Sequence, residues 1–265
     1  MDLEKVKKNK FSVIVPIYKT HHFLKRLLAS IPNKECVEII FIDDSPEVDL
    51  NFISKVVNES NRVNAVKILK NNKNMGVTFS RNKGYHNMSG EYAIFLDSDD
   101  YFSENALDII EECVDRNNSD IYLFRVMDPN NNIIGEDKDC ELSFNGIDSL
   151  SNIYGIGECL VVVKKAKHIS PFVGFLRGHE LFGLTRYLSK TDSRSVFISN
   201  HAVRYYCFDN EHSVSNSANF GRRLKSISLG HYLLAKVLIN NGKVYLGIKW
   251  LSKSFVRLLQ FYFYK

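Results

Sequence analysis

The sequence predicts an α/β fold: a mainly parallel sheet flanked by helices, followed by a helical extension at the C-terminal end. Three observations predict it. Short β-branched runs alternate with helical periods over the first 126 residues, the pattern of βαβ units. Acidic clusters stand at the ends of the second and fourth of those runs, where a parallel sheet places its ligand. Finally, residues 221–265 hold nine basic residues and no Asp or Glu, while residues 1–220 hold 26 basic against 30 acidic. The formal net charge of +5 is therefore the sum of two unlike parts, and the basic end points to an anionic partner.

Each element has its own signal. Residues 11–17 (FSVIVPI) are a β-branched run closed by Pro16 and Tyr18. Apolar residues at Phe23, Leu24, Leu27, Leu28 and Ile31 give the helical period of a first helix over 21–31. A second strand over 37–43 precedes a helix through Phe52, Ile53, Val56 and Val57, and 63–69 reads as a third strand. Gly76 interrupts the chain before a helix over 77–88. A fourth strand (91–96), a helix (105–114) and a fifth strand (121–126) follow. Beyond a turn-rich polar segment (128–139), the pattern is less regular: short strands at 141–144 and 159–163, a helix at 181–188 and a strand within 195–206. Two helices, 224–239 and 244–263, close the chain, parted by Asn240-Asn241-Gly242, a helix stop signal.

Composition excludes several classes. A chain of 265 residues with 45% hydrophobic and 25% charged residues can bury a sizeable core. With 18 Phe and 13 Tyr it is too aromatic for disorder, and 14 Gly with 5 Pro are too few for a collagen-like chain. No apolar run approaches the roughly 20 residues of a membrane span, and the charged opening MDLEKVKKNK reads as no secretory signal. Five widely spaced cysteines without a CxxC pair predict reduced thiols in the cytoplasm, not a zinc site or disulfide framework.

Chemistry concentrates at the strand ends. Asp43-Asp44 ends the second strand, and Asp97-Ser98-Asp99-Asp100 follows the apolar run Ala93–Leu96. One capping Asp would be ordinary; three in four residues beside a second pair repel one another unless a cation is held between them. Hard oxygen donors suit Mg²⁺ or Mn²⁺ shared with substrate phosphates.

The segments VIVPIY, IDDSP and NMGVTFSRNKGYHNMSGEYAIFLDSDD, in this order, resemble the nucleotide-sugar-binding half of family 2 glycosyltransferases, which have the GT-A fold. The resemblance is strong over about 11–126 and looser over 127–216. It implies a GT-A domain over 1–220, with a nucleotide-sugar half (about 11–126) and an acceptor half (about 127–220), and a basic extension over 221–265. It also implies residue roles. Pro16 and Tyr18 lie beside the nucleotide, Asp44 accepts from the uracil N3–H with Asp43 beside it, and Arg81 stands near the nucleobase and diphosphate. Asp97 lies on the ribose side with Ser98 next to it, Asp99 meets the metal that bridges the diphosphate, and Asp100 orients them. The metal set is Asp97, Asp99 and His212, the last through the segment NEHSVS, with Arg222 and Arg223 in reach of phosphate.

Two departures stand out. IDDSP replaces the DDGS of many members, a stiffer turn that keeps both carboxylates. Where the family has Glu-Asp opening a helix, this chain has His179-Glu180, with Arg186 at the family's offset. Glu180 is then the expected base for an inverting transfer from a UDP-sugar to a hydroxyl of a glycan or lipid-linked acceptor in cell-surface polysaccharide synthesis, and His179 is the reserve. Without the resemblance, Glu180 reads better as a first-turn Glu stabilised by the helix dipole.

In the last helix, Val244, Ile248, Leu251, Phe255, Leu258 and Tyr262 follow a 4-3 spacing, while Lys249, Lys253 and Arg257 recur on another face. With Trp250 and the terminal aromatics, this is the composition of an amphipathic helix lying on an anionic membrane. A helix packed on its own domain or on a twin subunit is the other reading. Nucleic acid is not expected, because the body is acidic and carries no binding motif. The predicted location is cytoplasmic, peripheral on the inner face of the membrane. Two further functions use clustered carboxylates: a nucleotidyltransferase, which wants a Gly-rich phosphate loop that VPIYKTHH does not supply, and a receiver-like signalling domain, which needs about half of this chain.

Overall fold

A computed structural model describes residues 9–45, 50–135, 140–152, 156–176, 179–207 and 220–263. Strands β1 (Phe11–Ile17) and β2 (Val37–Asp43) are buried along their whole length. That is why both read as continuous apolar runs and not as alternating ones. One face of the sheet carries Val13, Val15 and Phe41 against Leu24 and Leu27 of α1 (Leu24–Ser30), Ile53 of α2 (Leu50–Glu59) and Ile110 of α4 (Ala106–Arg116). The other carries Ile14, Ile40 and Ile42 against Tyr85 of α3 (Val77–Asn87) and Leu184, Tyr187 and Leu188 of α6 (Glu180–Leu188).

The remaining strands are β3 (Ala65–Lys70), β4 (Tyr92–Phe95), β5 (Tyr101–Phe102), β6 (Ile121–Met127), β7 (Leu142–Asn145), β8 (Cys159–Lys164) and β9 (Ser195–Tyr205). Their order is β3-β2-β1-β4-β8-β6-β9-β5, with β7 also on β9. The first four are parallel, as the βαβ pattern predicts. Further along, β8 joins both β4 and β6 antiparallel, while β6 and β9 pair in parallel. Strand order reverses between β1 and β4, which opens a crevice outside their carboxyl ends. The acidic clusters flank it.

Gly84 sets how closely α3 lies on the sheet. A Cβ there would stand 2.4 Å from Ile14 Cγ2 and 2.8 Å from Ile42 Cδ1, so only glycine permits the approach. Arg81, one turn earlier, is thereby brought to the strand ends. Two short elements, β5 and α5 (Ser149–Asn152), carry too few residues to show a period. All five cysteines are free.

Helices α7 (Phe220–Asn240) and α8 (Val244–Phe263) form an antiparallel hairpin. The predicted stop is there: Gly242 has φ +80°, and the Lys243 N–H returns to the Leu238 carbonyl at 2.9 Å, a Schellman-type end. Small residues line the seam. Ser228 and Ser254 each donate to the other's carbonyl, at 2.9 and 2.8 Å. The hairpin is seated on the α/β body through Leu234, Leu238 and Trp250, which share a core with Ile147, Leu176 and Phe182. This corrects one expectation. Trp250 is 1% exposed, a core residue and not an interfacial aromatic, because it fills the junction between hairpin and body. The outward face of α8 keeps Tyr245, Ile248, Phe255, Leu259 and Tyr262 exposed. No helix among the described residues is long and apolar enough to cross a membrane.

Candidate active site

The end of β2 supplies two buried carboxylates with different occupations. Asp44 is fully engaged: Oδ1 accepts from Asn71 Nδ2 at 2.8 Å and the Met75 N–H at 2.7 Å, and Oδ2 from the Gly76 N–H at 2.7 Å. It clamps the loop before α3 to the sheet. Asp43 Oδ1 accepts the Ser45 N–H at 2.9 Å and stands 3.5 Å from His21 Nε2, while its buried Oδ2 has no hydrogen-bond partner. Pro16 is buried in β1 opposite Ile42, and Tyr18, half-buried, follows the strand end with Lys19 Nζ 5.5 Å from its ring centre.

Beyond β4, Asp97 and Asp99 are half-buried, while Ser98 and Asp100 are buried. The Ser98 and Thr20 hydroxyls share a hydrogen bond of 2.5 Å. Arg26 donates to the Asp99 carbonyl at 2.6 Å and stacks over the Tyr101 ring at 4.7 Å, which fixes the turn. Arg81 Nη2 donates to Asp97 Oδ1 at 2.7 Å, and its Nη1 lies 3.8 Å from Glu180 Oε1. A single guanidinium thus bridges a carboxylate beyond β4 and the first residue of α6. Burial alone would disfavour the charge on Arg81, but Asp97 and Glu180 outweigh it.

Sequence reasoning missed Arg204. This residue of β9 is 2% exposed and lies 3.3 Å from Asp100, 3.9 Å from Asp97 and 3.0 Å from Glu158. Burial pushes the Asp97 carboxyl up, yet Arg81 and Arg204 together hold it below its ordinary value. Asp100 ends elsewhere: burial pushes it up to about 8, and Arg204 offsets only part of that. The available signal was a lone Arg within the strand segment 195–206, beside Ala202 and Val203, since a buried Arg must find carboxylates. Its partners, 46 residues away for Glu158 and more than twice that for Asp97 and Asp100, were not readable.

Glu180 is 36% exposed at the start of α6. His179 caps that helix, Nδ1 accepting the Phe182 N–H at 3.3 Å. Arg186 donates to the Ser170 and Phe172 carbonyls, at 2.8 and 3.4 Å, and so braces the loop before α6. His212 lies outside the described residues, as do the side chains of Arg222 and Arg223.

The donor set fits a divalent cation in one particular way. Among the described residues no group of three His, Cys, Asp or Glu is placed to hold a metal ion, and two guanidinium groups already face Asp97. Asp99 brings a second half-buried carboxylate to the same strand end. Mg²⁺ and Mn²⁺ are commonly held by one or two carboxylates together with substrate phosphates, and Asp99 at the crevice mouth suits that sharing.

Comparison with known proteins gives the same direction. Residues 12–143 match the sequence model of the family described as glycosyl transferase family 2. The minor teichoic acid biosynthesis protein GgaA of Bacillus subtilis is 38% identical over 109 residues, 37% of this chain and 23% of that protein. The poly(ribitol-phosphate) β-N-acetylglucosaminyltransferase TarS of Staphylococcus aureus is 31% identical over 122 residues, 44% of this chain and 21% of TarS. The matched segment thus spans less than a quarter of either relative's length. The crystal structure of TarS 1–349 with UDP-GlcNAc superposes with a TM-score of 0.70 at 20% identity, covering 95% of this chain and 73% of that one. The mannosyltransferase PcManGT of Pyrobaculum calidifontis, in complex with GDP-Man and Mn²⁺, gives 0.60 at 13% identity, over 95% and 74%. At these identities the structural likeness establishes the fold, GT-A.

Proposed function

Starting from a chain that belongs to glycosyl transferase family 2, we propose that it transfers a sugar from a nucleoside diphosphate donor, UDP-linked, to a hydroxyl of a cell-surface glycan or its lipid-linked precursor. The single observation that carries the reading is the row Asp97–Arg81–Glu180, held by contacts of 2.7 and 3.8 Å. It joins the donor half to the acceptor half across the crevice. GgaA and TarS, named for teichoic acid synthesis and for glycosyl transfer to poly(ribitol-phosphate), suggest the acceptor class. The family match sets aside the nucleotidyltransferase and receiver readings.

In this reading the body spans 1–220 and the basic extension 221–265. The resemblance gives the nucleobase N–H to Asp44. Because Asp44 is engaged by the loop before α3 and the buried Oδ2 of Asp43 has no hydrogen-bond partner, Asp43 takes the nucleobase N–H in this reading, while Asp44 holds the loop. Asp97 and Ser98 lie along the ribose. Asp99 and Asp97, with His212, would hold Mn²⁺ or Mg²⁺ beside the diphosphate. A bound metal supplies Lewis-acid stabilisation of the departing diphosphate. Arg81 adds a fixed positive charge where negative charge develops. Glu180 removes the acceptor proton as the hydroxyl attacks C1 from the face opposite the leaving group, inverting the anomeric centre. The outward face of α8 rests on an anionic membrane at the cytoplasmic side, where lipid-linked acceptors are presented.

A thermal-shift panel of UDP- and GDP-sugars with Mn²⁺ tests the donor class, since a bound ligand raises apparent stability with concentration over Kd. A Tm rise with UDP-sugars is expected. No shift with any nucleotide sugar would refute the reading.

A further inference from the structure

The C-terminal hairpin meets the body at one residue in particular. His179 is 7% exposed and packs against two rings of the hairpin: His231 of α7 at 4.8 Å between centroids and Trp250 of α8 at 6.3 Å. His231 and Trp250 are themselves 4.9 Å apart, so the three rings form one cluster. Gly230 lies directly against His179; a Cβ there would stand 2.4 Å from Cγ, 2.7 Å from Cδ2 and 2.9 Å from Cβ of that side chain. All three nearest atoms belong to His179. The opposite edge of the same ring makes the cap of α6, Nδ1 accepting the Phe182 N–H. Only a neutral imidazole can accept there. Burial, and then His231, push the His179 pKa down to about 4, which keeps the ring neutral.

We propose that the α7–α8 hairpin is a positioning arm of the active site: His231 and Trp250 hold His179, and His179, as the cap of α6, sets where the Glu180 carboxylate stands. The inference rests on the proposed role of Glu180 as the acceptor-side base. It gives a physical reason for histidine at a position where the family pattern has glutamate. A carboxylate at 179 would be buried against two rings at the cost of its hydration, whereas a neutral ring packs there and still caps the helix. Placement of this kind matters because roughly 1 Å of displacement at a reacting group costs about a hundredfold in rate. His179, His231 and Trp250 are positioning residues; none is required to touch the acceptor.

The test is a two-by-two set in the full chain: wild type, Gly230→Ala, His179→Gly and the double variant. Donor KM and kcat for transfer are measured in each, and Tm reports folding. Gly230→Ala inserts one methyl into the His179 ring. Its expected effect is a fall of about tenfold in kcat with donor KM within about twofold. Glycine is an acceptable cap, so His179→Gly should fold and be slow, and adding Gly230→Ala should change it by less than about twofold. An equal fall in both backgrounds would show a general loss of hairpin packing and overturn the proposal. So would an unchanged kcat in Gly230→Ala. Should that variant not fold, His231→Ala decides, since it removes a ring and inserts nothing: kcat unchanged overturns the proposal, kcat lowered with donor KM kept supports it. Glu180→Gln in the same assay separates the two layers. If it retains full turnover, the base assignment fails whatever the other variants do; if it is inactive while Gly230→Ala and His231→Ala are normal, only the positioning role fails.

Discussion

Arg204 ties the site to the body of the sheet. Its guanidinium lies 3.3 Å from Asp100 and 3.9 Å from Asp97 and donates to Glu158 at 3.0 Å, all from a position 2% exposed. Breaking a buried ionic group by removing one partner typically costs about 3–5 kcal/mol, because the other charges stay behind unpaired. Arg204→Ala should therefore lose stability on that scale in urea titrations, while Glu158→Ala, at a carboxylate half in solvent, should lose under about 1 kcal/mol. Among these residues the strand-end aspartates were legible in the sequence, since carboxylates crowded at the end of an apolar strand repel one another unless they serve a ligand. The division of labour between Asp43 and Asp44 was not, because it depends on which backbone N–H groups the loop 71–76 turns toward them.

The helices carry their own chemistry. The cluster of His179 and His231 sits at the contact of α6, α7 and α8. His179 faces His231, and His231 faces Arg257 and Lys253 of α8; burial first, and these neighbours second, push both imidazoles down to about 4. An unfolded chain would protonate them near 6.5. Between pH 6.5 and 4 the unfolded state binds protons that the folded state refuses, so stability is full above 6.5 and falls as pH drops through that window. Each imidazole contributes about 3 kcal/mol to that fall. Asp100, pushed up to about 8, works in the opposite direction over the same window, so the difference between variants is the test: Tm should fall less from pH 7 to pH 4 in His231→Leu than in the wild type. Most elements were legible, because period and stop signals are local: the last helix, 244–263, is found where the apolar spacing puts it. What faces what was not. Ile248, Phe255 and Tyr262 of the 4-3 stripe lie outside, while Trp250 and Gly247, which the stripe does not contain, turn inward. A Cβ at Gly247 would meet Ile239 at 2.4 Å, so the small-residue seam with α7, invisible to a hydrophobic period, decides the rotation of the helix.

For the molecule as a whole, charge and apolar surface are separated. The body is acidic and holds the crevice; the extension carries nine basic residues, no acidic ones, and an exposed apolar stripe on α8. Exposed stripes of this kind mark interaction surfaces. Sedimentation with phosphatidylglycerol-containing vesicles should carry the protein down at low salt and release it as salt rises; Phe255→Ser with Tyr262→Ser should weaken that binding about tenfold while leaving donor binding intact. Binding to neutral and anionic vesicles alike, or to neither, would contradict the placement.

The central claim is that the crevice performs glycosyl transfer with Glu180 as its base. The direct measurement is nucleoside diphosphate release by purified protein supplied with a UDP-sugar, Mn²⁺ and a poly(ribitol-phosphate) acceptor, for wild type and Glu180→Gln. Acceptor-dependent release by the wild type, and a loss of at least about a hundredfold in kcat with donor affinity retained in Glu180→Gln, is the predicted result. Equal release by both proteins would contradict it.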